Sequence, residues 1–193
     1  MSKREAREGA HEMRGSAICG FSQPRETSSL PLMSVASLSR YGSLIGFLGV
    51  TFLAAAIGSA ATFRSVQTWY PTLVKPSWTP PSAVFGPVWT VLYVAMAIAA
   101  WRIWRVQEGD AATAVLRSYG AQLFLNALWS VLFFGMRRPD LALLDIVALW
   151  AVLVIFLVRS WRVDLPARAM WSVYVAWVSF AGALNAAVWF LNR

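Results

Sequence analysis

The chain contains almost none of the residues that build metal centres and hydrolytic active sites. Its 193 residues include one cysteine, Cys19, and one histidine, His11, and both precede the first hydrophobic segment. An intrachain disulfide is therefore excluded. A Cys/His zinc cluster, a Ser-His-Asp triad or a Cys-His pair cannot be built in the hydrophobic body of the protein. We expect no bound metal and no required cofactor.

Charged residues are also scarce. They make up 13% of the chain, against about 25% in a typical soluble domain, and 58% of the residues are hydrophobic. This composition disfavours a soluble enzyme or a nucleic-acid-binding domain. Most of the net charge of +8 consists of arginines between long apolar runs, which is typical of loops at a membrane surface. We therefore expect a lipid membrane as the surroundings and no nucleic-acid partner.

Five apolar segments are present, each close to the ~20 residues that cross ~30 Å of hydrocarbon as a helix. They cover about 43–63, 84–104, 116–136, 141–159 and 167–191. The predicted fold is an all-α membrane protein, a five-transmembrane-helix bundle over 41–193, after a polar and mobile tail at 1–40. Five tryptophans near predicted helix ends suit an interfacial belt: Trp101, Trp104, Trp161, Trp171 and Trp189.

The first predicted connection, Arg64–Ala83, is long and rich in aromatic residues and proline. Trp69, Tyr70 and Trp78 are residue types that prefer a membrane interface, so the loop can be read as an anchor. However, four prolines fall within residues 71–81, and proline stiffens a loop. We favour a rigid aromatic lid over a cavity between helix ends.

Three predicted helices carry aromatic and polar residues on one face each, at helical spacing. The faces are Trp89, Tyr93 and Met96; Gln122, Asn126, Trp129, Ser130 and Phe133; and Tyr174, Trp177, Ala181 and Asn185. Amides are costly in hydrocarbon, so these faces should point inward, either as a pocket or as hydrogen-bonded contacts between helices. Together with the lid they predict a site for a flat, largely apolar ligand.

Asp145 is an acid well inside an apolar segment, which makes it a functional candidate. The alternative is that it reaches the interface or pairs with Arg137 or Arg138. Haem is most often held by His, Cys, Met or Tyr, and the bundle offers only Met and Tyr. A tetrapyrrole bound here would therefore be metal-free or held by stacking.

Three stretches carry a resemblance to a known family. They are WYPTLVKPSWTPPSAVFGPVWTVLYVAM (69–96), AQLFLNALWSVLFFGMRRPDLAL (121–143) and AWVSFAGALN (176–185). The chain resembles the TspO/MBR family over about 41–193. This family comprises the tryptophan-rich sensory proteins and the mitochondrial translocator proteins once called peripheral benzodiazepine receptors.

The resemblance implies a multi-pass protein of a bacterial membrane or the mitochondrial outer membrane, commonly a homodimer. It implies binding of porphyrins such as protoporphyrin IX, of sterols and of benzodiazepine-type drugs, with a sensory, regulatory or transport role in tetrapyrrole metabolism or stress response. The alternative is an enzyme that degrades porphyrin with light and oxygen, in which Trp89 and Trp177 would be the reactive residues.

By motif position, the resemblance implies a pocket that overlaps the faces described above. Its residues would be Tyr70, Pro80, Trp89, Tyr93, Asn126, Trp129, Ser130, Phe133, Asp145, Ile146, Trp177 and Ala181, with Trp69 and Trp78 on the lid. The chain departs from the family at Val131 and Val173, where many members have proline. The sterol-type pattern of the last helix is absent from Leu184–Trp189, which puts sterol binding in doubt.

Overall fold

Five α-helices account for most of residues 35–193, the part of the chain that the computed structural model describes. They are α1 (Val35–Thr68), α2 (Ser82–Arg105), α3 (Gly109–Ser130), α4 (Pro139–Ser160) and α5 (Leu165–Leu191). This range contains no β-strand, and the all-helical prediction is confirmed for it. The predicted tail lies outside the described residues except for its last six, which begin α1.

Four of the helices are long and apolar enough to cross a membrane. These candidate spans are Gly42–Thr68, Ser82–Arg105, Pro139–Ser160 and Leu165–Leu191. The remaining long helix, α3, carries Asp110 and Arg117 and is less apolar. It packs against both α1 and α4, so it belongs to the same bundle.

The first helix extends further than its apolar segment. α1 continues through Thr68, whereas the sequence predicts a connection from Arg64. Two hydroxyls in the added turn are hydrogen-bonded: Ser65 donates to the backbone oxygen of Phe134 at 2.5 Å, and Thr68 donates to that of Arg64 at 2.8 Å. The fall in hydropathy at residue 64 therefore does not mark the end of the helix.

A π-helical turn, Val131–Gly135, ends the third helix. The backbone N–H of Met136 donates to the Val131 oxygen at 2.7 Å, and that of Arg138 donates to the Leu132 oxygen at 2.9 Å. Between them Arg137 takes a φ of 55°, a left-handed conformation that closes helix ends. Pro139 then starts α4 at a position where proline is tolerated.

The core lies where α4 and α5 meet α2 and α3. Trp171, Tyr174 and Met96 are completely buried. Trp171 stacks on Phe156 with ring centroids 4.2 Å apart, and its indole N–H donates to the Leu153 oxygen at 3.1 Å. The assignment of Trp171 to an interfacial belt is therefore wrong, because helix packing and a backbone acceptor together hold this ring inside the bundle.

One ion pair joins the end of α2 to the start of α5. Arg102 donates two hydrogen bonds to Asp164, at 3.0 and 2.8 Å, and Asp164 also accepts from the Ala167 N–H at 2.7 Å. The hydrogen bond from Arg102 is the main cause that lowers the pKa of Asp164 below its ordinary value. Asp164 is thus both an ion-pair partner and the N-cap of α5.

We predict that Asp164→Asn, which keeps a capping oxygen but removes the charge, lowers the melting temperature at pH 7. The stabilisation by the charge is fully present above about pH 3.9, the pKa of a free aspartate. It is lost as the pH falls further through the lowered pKa of the folded protein. Circular-dichroism melts at several pH values measure this, with Glu108→Gln, an exposed change without a cap hydrogen bond, as control. Equal melting temperatures of wild type and Asp164→Asn at pH 7 would contradict it.

Candidate functional site

A cavity of about 670 Å³ lies between α1, α2, α3 and α5. This is within the range of roughly 300–1,000 Å³ found for small-molecule sites. Its wall is mostly apolar and aromatic. Nine residues predicted from the sequence to bind a ligand line it: Tyr70, Trp89, Tyr93, Asn126, Trp129, Ser130, Phe133, Trp177 and Ala181.

The other five predicted residues do not line this cavity. Trp69 packs edge-on against Phe133 with centroids 5.8 Å apart, one layer behind the wall. Trp78 is 48% exposed and contacts Phe180 at 5.7 Å. Ile146 lines a small neighbouring void. The two remaining residues, Pro80 and Asp145, lie in the loop and in α4.

The loop between α1 and α2 covers one end of the bundle. A 3₁₀ turn at Tyr70–Thr72 starts it, and Trp69, Tyr70 and Leu73 pack on a buried cluster that includes Phe133. Burial raises the pKa of the Tyr70 phenol above its ordinary value. This packing supports the interpretation of the loop as a lid.

Two sets of hydrogen bonds hold the lid. The Lys75 ammonium donates to the backbone oxygens of Tyr70 and Leu73, at 2.7 and 2.9 Å. The Val74 N–H donates to the Asn192 side-chain oxygen at 2.9 Å, and the Asn192 side-chain nitrogen donates to the Val74 oxygen at 2.8 Å. The lid is therefore fastened to the end of α5 through the backbone of Val74.

A chain of polar side chains joins the cavity wall to the core. Tyr93 donates to the Asn126 Oδ1 at 2.8 Å, and the Asn126 Nδ2 donates to the Tyr174 hydroxyl at 3.0 Å. The Tyr174 hydroxyl donates to the Gln122 Oε1 at 3.0 Å. Asn126 is thus both a contact between helices and part of the wall, because its amide has partners on α2 and α5.

A second amide connects three elements. Asn185 accepts from the Trp129 indole N–H at 2.9 Å and donates to the Pro139 backbone oxygen at 2.8 Å. The sequence favoured a structural role for Asn185, and these bonds show it. Asn185 also lines the cavity, so its two bonds fix the position of the Trp129 ring in the wall.

Two buried polar groups have no hydrogen-bond partner among the described residues. They are the carboxylate of Asp145 and the indole N–H of Trp177. The alternative that Asp145 pairs with Arg137 or Arg138 is wrong, because neither of its oxygens has a partner among the described residues; Arg138 pairs instead with Asp140 at 2.6 Å. Trp177 lines the cavity, so its N–H is a candidate donor to a ligand.

The first helix contributes a wall that sequence reasoning missed. Small and hydroxyl residues at Ala55, Ser59 and Thr62 share a face at helical spacing and line the cavity. Gly58 lies between them, and a Cβ added there would be 3.0 Å from the Ser130 hydroxyl. The helical spacing of these small residues could have predicted this face, but apolar residues on the other faces of α1 made it indistinct in the sequence.

Sequence comparisons show the family of the chain. Residues 47–190 match the sequence model of the TspO/MBR family. The chain belongs to the TspO/MBR family. It is 37% identical over 155 residues to the tryptophan-rich protein TspO of Archaeoglobus fulgidus, covering 80% of this chain and 97% of the relative.

Two further relatives of this TspO/MBR protein come from other branches of life. It is 35% identical over 151 residues to the translocator protein of Bos taurus, covering 77% of this chain and 89% of the relative. It is 39% identical over 145 residues to protein CrtK of Rhodobacter capsulatus, covering 74% and 91%. With its apolar helices, the chain is a multi-pass integral membrane protein, as predicted.

We predict that Tyr174→Phe destabilises this TspO/MBR protein, because it leaves the Asn126 Nδ2 and the Gln122 Oε1 without their shared partner. The expected loss in free energy of unfolding lies between about 0.6 kcal/mol, the average for a hydrogen bond between membrane helices, and about 3 kcal/mol, for a buried polar group without a partner. Unfolding in mixed micelles measures it.

Ser179→Ala is the matched control for Tyr174→Phe. It removes the acceptor of the Trp150 indole N–H, an exposed bond between α4 and α5. A smaller loss is expected there because the bond is not in the core. An equal or larger loss for Ser179→Ala would show that the buried chain is not the main polar contact.

Proposed function

We propose that this protein is a receptor or translocator of the membrane that binds porphyrins, such as protoporphyrin IX, and related hydrophobic ligands. Its role would be sensory, regulatory or in transport, within tetrapyrrole metabolism or a stress response. One observation carries the proposal: three indole rings, Trp89, Trp129 and Trp177, line one cavity of about 670 Å³. Broad aromatic faces suit a flat macrocycle, because offset or edge-on ring contacts add to apolar burial.

The chemistry of the wall favours a metal-free macrocycle. Among the lining residues only Tyr70 and Tyr93 are of a type that ligates haem iron. The Tyr93 hydroxyl already donates to Asn126, and the Tyr70 phenol has a raised pKa, which disfavours an iron-bound phenolate. This wall offers aromatic faces for stacking and the indole N–H of Trp177, which has no partner in the part of the chain that the structure describes.

We also propose that α3 completes a five-span bundle. Its 22 residues extend about 33 Å at 1.5 Å per residue, enough to cross the hydrocarbon. A homodimer, as the family resemblance implies, remains part of the proposal. Gly42 and Gly46 have open space beside them, whereas Gly58 already packs against Ser130 within the chain.

The second candidate function is light- and oxygen-dependent porphyrin degradation. One observation favours it: Trp89 and Trp177 line the same cavity, so a porphyrin bound there would lie beside two oxidisable indoles. Trp89 also contacts Tyr93 and Tyr174, with centroids 5.4 and 6.4 Å away.

We predict that Trp89→Phe combined with Trp177→Phe weakens protoporphyrin IX binding about tenfold, or 1.4 kcal/mol, because both rings shrink and the indole N–H is lost. The fluorescence anisotropy of the porphyrin in nanodiscs measures the affinity. Trp150→Phe with Trp161→Phe is the matched control, since neither residue lines the cavity. If the two double variants bound equally well, the proposed pocket would be wrong.

We predict that illumination separates the two functions. A binding protein yields no tetrapyrrole product, measured by mass, beyond that of porphyrin in empty nanodiscs under the same light. The enzyme would be favoured if the wild type formed more product than empty nanodiscs and the Trp89→Phe and Trp177→Phe variant did not. The variant is compared at porphyrin concentrations that saturate it.

A further inference from the structure

The cavity is walled unevenly. On the α3 and α5 sides its residues are buried or half-buried; Asn126, Ala181 and Val188 are at most 9% exposed. On the α1 and α2 sides, by contrast, several lining residues are exposed. They are Phe52, Ser59 and Phe63 on α1 and Gly86 and Thr90 on α2, and we call the space between them the α1–α2 gap.

The two helices are in contact towards their other ends. There the Trp101 indole N–H donates to the Ser43 hydroxyl at 3.0 Å. Phe47 contacts Trp104 with centroids 5.7 Å apart. Towards the lid the cavity separates α1 from α2, and a Cβ added at Gly86 meets no described atom within 4 Å.

The gap is flanked by two helices that are long and apolar enough to cross a membrane. Gly86 and Thr90 are about 6 and 12 Å along α2 from Ser82, at 1.5 Å per residue, and both flanking helices are candidate membrane spans. A span crosses about 30 Å of hydrocarbon. A gap between two such helices would face the bilayer.

Two phenylalanines and two threonines beside the gap have surfaces that suit lipid. Phe52 and Phe63 are 43% and 69% exposed. The hydroxyls of Thr62 and Thr90 donate to the backbone oxygens of Gly58 and Gly86, at 2.7 and 2.9 Å, so they need no water. The two threonine hydroxyls are therefore already hydrogen-bonded and do not hinder an apolar molecule that passes them.

The loop at the other end of the cavity is held by specific contacts. The lid is joined to α5 by the two hydrogen bonds between Val74 and Asn192. Trp78 rests on Phe180. Opening this end requires that these contacts break together.

We propose that the α1–α2 gap is the access route of the cavity, so that its ligands are apolar, membrane-dissolved molecules that enter sideways from the bilayer. This route rests on the proposed binding function, and it narrows the ligands to those that partition into lipid. The lid then closes the site to water and does not admit the ligand.

A cysteine-labelling experiment tests the route without any porphyrin. In a Cys19→Ser background, Ser130→Cys places one thiol in the cavity wall. The protein in vesicles is treated with membrane-soluble N-(1-pyrenyl)maleimide or with a charged, water-soluble methanethiosulfonate. Because neither reagent is a porphyrin, failure of this experiment is distinct from failure of porphyrin binding.

The gap is then filled by Gly86→Phe, with Gly86→Leu as a smaller second variant. Gly49→Phe is the matched control, since Gly49 also has open space beside it and does not line the cavity. Gly86→Phe should slow labelling by the maleimide at least about tenfold, as an added barrier of 1.4 kcal/mol would. Gly49→Phe and the lid variant Asn192→Ala should leave that rate unchanged.

Two results would overturn the proposal. One is that the maleimide labels both Gly86 variants as fast as it labels the protein that retains Gly86, while circular dichroism shows that both variants are folded. The other is faster labelling by the charged reagent in Asn192→Ala, which would place the access route at the lid.

Discussion

The hydrogen-bonded chain from Tyr93 through Asn126 and Tyr174 to Gln122 is the constraint on which the rest of the structure depends. In hydrocarbon a polar side chain must find its partners within the protein. The hydrogen bonds among these four side chains form only when α2, α3 and α5 keep a fixed distance from one another. That spacing leaves a cavity beside the hydrogen-bonded chain, with Tyr93 and Asn126 in its wall. The polar core and the proposed binding site are therefore one arrangement.

Much of this was predictable from helical spacing, since a face with aromatic and amide residues must point inward in a membrane. Asn126, Trp129 and Trp177 were found on the cavity wall for this reason. Spacing does not say which partner an inward residue finds. Asn185 is bonded to Trp129 and Pro139, whereas Asp145 has no hydrogen-bond partner within the described range. The relative rotation of neighbouring helices decides such contacts.

The contribution of α1 was beyond sequence reasoning for a different reason. Apolar and small residues are spread around the membrane-spanning part of α1, so the sequence does not indicate which face points inward. The structure identifies that face, because Gly58 lies close to Ser130. Likewise, Trp171 lies near a helix start in sequence, yet the stacking of Phe156 places it in the core. Tertiary packing, which is not local in sequence, settles both.

The central claim is that this aromatic cavity holds a flat, metal-free macrocycle by stacking. A titration in nanodiscs that compares protoporphyrin IX, haem and a sterol tests it most directly. The account predicts saturable binding of one protoporphyrin IX per chain, with weaker binding of haem and of the sterol. Tighter binding of the sterol, or porphyrin uptake that only matches empty nanodiscs, would contradict it.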